Sequence, residues 1–267
     1  MGQTVPGTDI RGLDVAGSPD AQPIVFVHGA MFTRKMWAPQ REALSDEFRV
    51  VAPDLPGHGA RSDTEFDLEP AVRLLEEVFE AETDGHAILV GLSLGGYVAT
   101  EFASRHPEMV DGLVVVGSSA NPVRGMNLLT RLTGATARLA TRSDLIERGV
   151  QRLGERWVRN RDLPPEIEAE IIESGIYPRE FGTPGPDLAG RNFRDRFASY
   201  PGPTLIVNGE HDKLMRRGEG DHAAAGHDTR IVVIAGVGHI CNLHRPETFT
   251  DVIRRFARRV EEESARA

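Results

Sequence analysis

Six short apolar runs punctuate the chain: PIVFVHG at 23–29, FRVVAPD at 48–54, HAILVG at 86–91, GLVVVG at 112–117, TLIVNG at 204–209 and RIVVIAG at 230–236. Each has the length of a strand, is rich in Val and Ile, is apolar on both faces and ends in Gly or a polar residue. Strands of a parallel sheet covered on both sides have this pattern. Between the runs the period changes. Glu69 to Ala81 places apolar residues at 72, 74, 75, 78 and 79, and Gly96 to Arg105 continues at helical spacing with small and apolar side chains. Strands alternating with helices predict a doubly wound, mostly parallel α/β fold.

The rhythm breaks between Asn121 and Tyr200, where no strand-like run occurs. Ser143 and Asp144 open a helical segment with apolar residues at 145, 146, 150, 153 and 157, and Pro164 and Pro165 precede EIEAEIIES, closed by Gly175. The Pro- and Gly-rich YPREFGTPGPDLAG that follows reads as a loop. The pattern predicts a core from residues 1–120 and 201–267, with a helical cap inserted at 121–200. Such a cap would cover the carboxyl ends of the strands, where open α/β sheets bind ligands.

Composition narrows the possibilities. At 267 residues with 40% apolar content, the chain suits one folded core with an insertion. A net charge of −9 argues against a nucleic-acid partner, which requires a concentrated basic face. Lys35 and Lys213 are the only lysines against 29 arginines, a balance that suits a GC-rich bacterial genome. The single cysteine, Cys241, can form no internal disulfide and is expected to be a buried apolar side chain. The opening MGQTVPGTDI lacks the basic start and apolar run of a secretory signal, and Pro6 breaks the myristoylation pattern. No apolar stretch approaches the roughly 20 residues of a membrane span. These features point to a soluble, cytoplasmic protein with no membrane partner. Nothing in them sets an oligomeric state.

The residues at the strand ends carry the candidate chemistry. His28, Gly29 and Ala30 follow the first run, Asp54 opens DLPGHGARS after the second, and Ser93 follows the third within GLSLGG. Asp212 follows TLIVNG and His239 follows RIVVIAGVG. A Gly-x-Ser-x-Gly turn between strand and helix is by itself a weak signal. Together with an acid and then a histidine at the last two strand ends, it gives the chain order of a hydrolase triad. In such a triad the histidine accepts the serine proton, while the acid fixes the imidazole tautomer.

FVHGAMF, DLPGHGARS, GLSLGG, NGEHD and GVGH, in this order, resemble the α/β-hydrolase family, in its capped esterase- or lactonase-like branch. The resemblance runs from Pro23 to the last helix. It implies Ser93 as nucleophile, His239 as base and Asp212 as acid, and no cofactor. The oxyanion donors are the backbone N–H of Leu94, the residue after the nucleophile, and, by resemblance, that of Ala30, with Met31 as the second candidate. Glu210 also follows Gly209 and competes with Asp212, although the family spacing favours Asp212. GSSANP, after the fourth run, holds no carboxylate. One departure is the short N-terminal region, in which IRGLDVAG supplies a single strand where this branch usually has a hairpin.

The other polar residues read as structural. Asp54, Gly57, Gly59 and Ser62 shape a loop, His28 shapes the oxyanion loop without transferring protons, and His58 lies in a turn. His211, His222, His227 and His244 are expected at the surface. No histidine spacing suits a metal, and no Gly-x-Gly-x-x-Gly suits a nicotinamide cofactor. Leu128, Leu132, Leu139, Trp157, Ile172 and Phe181 are candidates for an apolar acyl pocket, although their helical spacing favours core packing for most of them, and Arg124, Arg131 and Arg138 are candidates for a solvated face of the cap. The implied reaction is hydrolysis of a small or medium carboxylic ester or lactone through an acyl-enzyme. The alternatives are C–C bond hydrolysis, acyl transfer or perhydrolysis on the same residues, or slow-turnover ligand binding. Haloalkane dehalogenation is disfavoured, because its relatives have Asp in the position of Ser93.

Overall fold

A computed structural model describes residues 10–123, 135–136, 139 and 143–264 of the chain. Among them seven strands form one sheet: β1 (Leu13–Ala16), β2 (Pro23–Val27), β3 (Arg49–Pro53), β4 (Ala87–Leu92), β5 (Val110–Val116), β6 (Pro203–Gly209) and β7 (Asp228–Ile234). Their spatial order is β1-β3-β2-β4-β5-β6-β7. All neighbours pair in parallel except β1, which runs antiparallel to β3. All six apolar runs form strands, and IRGLDVAG provides the seventh.

Alternation along the central strands builds two cores. On β2, Ile24 and Phe26 face one side and Val25 and Val27 the other; on β5, Val114 and Val116 oppose Leu113 and Val115. The first side is covered by α1 (Ala38–Leu44) and by α8 (Pro246–Ser264), through Phe249, Ile253, Phe256 and Val260. The second is covered by α2 (Leu68–Glu82) and α3 (Leu94–Arg105), through Leu75, Phe79, Val98 and Phe102. The Asp67 carboxylate caps α2 by accepting from Glu69 N–H at 2.8 Å, and Asp84 and Gly85, both at positive φ, follow its end. The last strand departs from the sequence reading. RIVVIAG looks buried on both faces, yet β7 is the sheet edge and leaves Ile231 and Val233 exposed. An apolar run does not distinguish an edge strand from a central one.

Between β5 and β6 the described regular elements are all helical. They are α4 (Asp144–Arg159), α5 (Pro165–Glu173) and α6 (Phe193–Ser199), with short helical turns at Pro178–Phe181 and Gly185–Leu188 inside the segment expected to be loop. Phe193 and Phe197 of α6 pack into the second core beside Tyr97 of α3. The other two helices lie against the segment after β2. Thr33 and Ser174 hydroxyls are 2.7 Å apart, Tyr177 N–H donates to the Met31 carbonyl at 2.9 Å, and Trp157 packs on Phe32. No helix among the described residues is long and apolar enough to cross a membrane.

Candidate active site

Ser93 links β4 to α3 at φ 55° and ψ −114°. Only one other non-glycine among the described residues, Asp84, has positive φ, and such a conformation costs about 1–3 kcal/mol that the surroundings must offset. Its neighbours are small for a steric reason: a Cβ on Gly91 would collide with the Gly95 carbonyl, and one on Gly95 with the Val27 carbonyl. Ser93 N–H donates to the Val116 carbonyl at 2.8 Å, and the Ser118 hydroxyl donates to the Ser93 carbonyl at 2.9 Å. The turn therefore hangs from the end of β5.

Gly117, next along β5, has φ 56°, and a Cβ there would sit 2.9 Å from Cε1 of His239. The serine turn and the histidine thus adjoin the same Val116–Gly117 segment. His239 Nδ1 lies 2.6 Å from Oδ2 of Asp212 and donates to it, and in the neutral imidazole this tautomer presents Nε2 as an acceptor. Asp212 is 9% exposed and its Oδ1 accepts from Met215 N–H at the start of α7 (Lys213–Ala225). The two loops are laced together by His211 N–H to the Val237 carbonyl and Glu210 N–H to the Ile234 carbonyl. The Glu210 carboxylate binds Gly236 N–H at 2.8 Å, so of the two acids after Gly209 it is Asp212 that meets the histidine.

The segment after β2 passes close by, since a Cβ on Gly29 would lie 3.5 Å from that of Ser93. Among the described hydrogen bonds, the N–H groups of Ala30, Met31 and Leu94 meet no protein acceptor. His28 and His58 are both fully buried, and burial lowers the pKa of each, of His28 well below its ordinary value. Asp54, also fully buried, accepts from Arg34 N–H and Ala60 N–H at 2.9 Å each and pairs with the Arg34 guanidinium.

A seven-strand mostly parallel sheet with a serine turn after β4, an acid after β6 and a histidine after β7 agrees with the comparison of the whole chain. A model of the alpha/beta hydrolase family matches residues 24–252. The chain belongs to this family. This α/β-hydrolase is 32% identical over 215 residues to the pimeloyl-[acyl-carrier protein] methyl ester esterase of Vibrio cholerae, covering 74% of this chain and 79% of that one. A shorter match, 38% over 106 residues, is to the biotin biosynthesis bifunctional protein BioHC of Teredinibacter turnerae, of which the chain spans 18%. Among solved structures, a thermophilic esterase from Thermogutta terrifontis, with malate bound, superposes with a TM-score of 0.75 at 26% identity over 93% of both chains. The α/β-hydrolase is thus an enzyme whose named relatives include esterases.

Some expectations need correction. His222 is not at the surface; it is 2% exposed, with its ring edge-on to Phe197. Phe181 and Leu139 are 62% and 67% exposed, which fits no enclosed pocket wall, whereas Trp157 and Ile172 are partly buried against the first core. Leu128, Leu132, Arg124, Arg131 and Arg138 lie outside the described residues. No cluster of three or more metal-ligating side chains occurs among the described residues. The sequence reading missed an ion network: Asp14 with Arg34, Lys35 and Arg41, and Glu170 with Lys35 and Arg41. Its members come from β1, the segment after β2, α1 and α5, and no local pattern marks them.

Proposed function

We propose that this α/β-hydrolase cleaves a small or medium carboxylic ester or lactone through an acyl-enzyme, with Ser93, His239 and Asp212 as its catalytic triad. The observation that carries the reading is the 2.6 Å bond from His239 Nδ1 to Asp212, beside a serine held at positive φ. His239 Nε2 takes the Ser93 Oγ proton as Oγ attacks the acyl carbonyl, and Asp212 stabilises the imidazolium that forms. The tetrahedral oxyanion is held by Leu94 N–H and Ala30 N–H, with Met31 N–H the second candidate on that loop. Each such donor is worth about 10²–10³ in kcat. His239 then protonates the departing alcohol, and the same base activates the water that releases the acid.

The test is a p-nitrophenyl ester series of increasing acyl length, wild type beside Ser93→Ala. A burst followed by steady turnover, abolished in the variant, is expected. Comparable rates in Ser93→Ala, or no release by wild type at any length, would overturn the reading.

A further inference from the structure

Three consecutive carbonyls after β2 are each engaged in a hydrogen bond, the last two with partners from outside the loop. The Gly29 oxygen accepts from His28 Nδ1 at 2.9 Å and from Phe32 N–H at 3.2 Å. The Ala30 oxygen lies 2.7 Å from His58 Nε2, and the Met31 oxygen accepts from Tyr177 N–H at 2.9 Å. No peptide bond is cis among the described residues, so each N–H points away from the carbonyl of its own peptide. The direction of the Gly29 carbonyl therefore sets that of Ala30 N–H, and the Ala30 carbonyl sets Met31 N–H. Ala30 is clamped on both sides.

The two imidazoles differ in one respect. Leu55 N–H donates to His28 Nε2 at 2.9 Å, so the His28 proton must be on Nδ1, facing the Gly29 carbonyl. His58 faces a carbonyl with each nitrogen: Ala30 with Nε2, and Pro56 with Nδ1 at 2.9 Å. Burial lowers the pKa of the ring, and the neutral imidazole has one proton for two acceptors. On Nε2 that proton holds the Ala30–Met31 peptide. On Nδ1 it would hold only its own turn and present a lone pair to the Ala30 oxygen. The ring itself is fixed, fully buried, edge-on to His28 at 4.8 Å and 5.7 Å from the Tyr177 ring.

We propose that His58, as the Nε2–H tautomer, is a positioning residue that clamps the Ala30–Met31 peptide and so aims the oxyanion loop at the substrate carbonyl. The proposal rests on the ester-cleaving reading above. It assigns His58 a role that its place in a turn does not suggest.

The test pairs His58→Phe, which keeps a ring but has no donor, with His58→Gln, which restores a side-chain N–H. His58→Phe should lower kcat for a p-nitrophenyl ester by about 10- to 100-fold with KM within about threefold, because a donor is misdirected rather than removed. His58→Gln should recover most of that loss. Long-range 1H–15N correlation on histidine-labelled wild type should place the neutral proton of His58 on Nε2 and that of His28 on Nδ1. A wild-type kcat in His58→Phe, equal losses in the two variants, or a His58 proton on Nδ1 would overturn the proposal. If His58→Phe does not fold, His58→Gln and the wild-type spectrum still decide. A Ser93→Ala enzyme that turned over would instead overturn the ester-cleaving reading, and the tautomer measurement does not depend on it.

Discussion

Replacing Asp54 with alanine should destabilise the fold more than any change at the exposed ion pairs. Its carboxylate accepts two backbone N–H groups, from Arg34 and Ala60, and pairs with the Arg34 guanidinium, all without exposure of its own. Alanine strands both N–H groups, each worth about 1–3 kcal/mol when left unmade in the interior. Breaking a buried pair by removing one partner costs about 3–5 kcal/mol. The two effects overlap, because Arg34 keeps Asp14 at 2.8 Å and its side chain is 19% exposed. A net loss of about 3–5 kcal/mol follows. Unfolding entropy of about 2.1 cal/mol/K per residue gives about 0.56 kcal/mol/K for 267 residues, so Tm should fall by about 5–9 °C. Asp54→Asn keeps one acceptor oxygen and should lose about half as much. Urea denaturation at pH 7 with parallel calorimetry measures both. An alanine variant within about 1 kcal/mol of wild type, or an asparagine variant no better than alanine, would refute the reasoning.

Three further outcomes are expected. The hydrogen bond from Arg41, and after it Lys35, holds the Glu170 carboxyl below its usual value against the opposing effect of burial. Its folded-state pKa lies below the unfolded one of about 4.3, so its contribution is full above that pH and fades as the medium becomes more acidic. The Tm difference between wild type and Glu170→Gln should therefore be largest near neutrality and close in acid, and a pH-independent difference would contradict the ion-pair assignment. Gly117→Ala places a methyl at positive φ, 2.9 Å from the His239 ring, and should reduce kcat by about tenfold or more, as small misplacements of reacting groups do; unchanged turnover would show that the ring tolerates the shift. Cys241 is fully buried and burial pushes its thiol up to about 12, so Ellman's reagent should label it only after denaturant is added, and rapid labelling in native buffer would count against this packing.

Strand existence was legible because each central strand is buried on both faces and therefore spells an unbroken apolar run. Ser93, Asp212 and His239 stand out as candidates because they lie at the ends of such runs, where the chain leaves the sheet. The elbow glycines carry their reason locally, in the carbonyls their missing side chains would strike. The unread features depend on long-range contact. Lys35 and Glu170 are 135 positions apart, and nothing near either residue announces the 2.7 Å bond between them. His58 and Ala30 are 28 positions apart, and a histidine in a Gly-rich turn reads the same whether or not its ring reaches another loop. His222 looks like a surface residue because its neighbours along α7 are charged, while its own ring turns inward toward Phe197.

The contacts between the segment after β2 and the helices above it bear on protein engineering. Exchanging the region between β5 and β6 for that of another family member is an obvious route to new substrates. Here the exchanged piece would have to supply a hydroxyl for Thr33, a backbone donor for the Met31 carbonyl, an aromatic for Phe32 and a carboxylate for Lys35 and Arg41. A chimaera designed only around the entry and exit points of the insert would therefore disturb the loop that carries Ala30. The useful unit of transplantation is the helical segment together with residues 31–35 of its mating face, moved as one block.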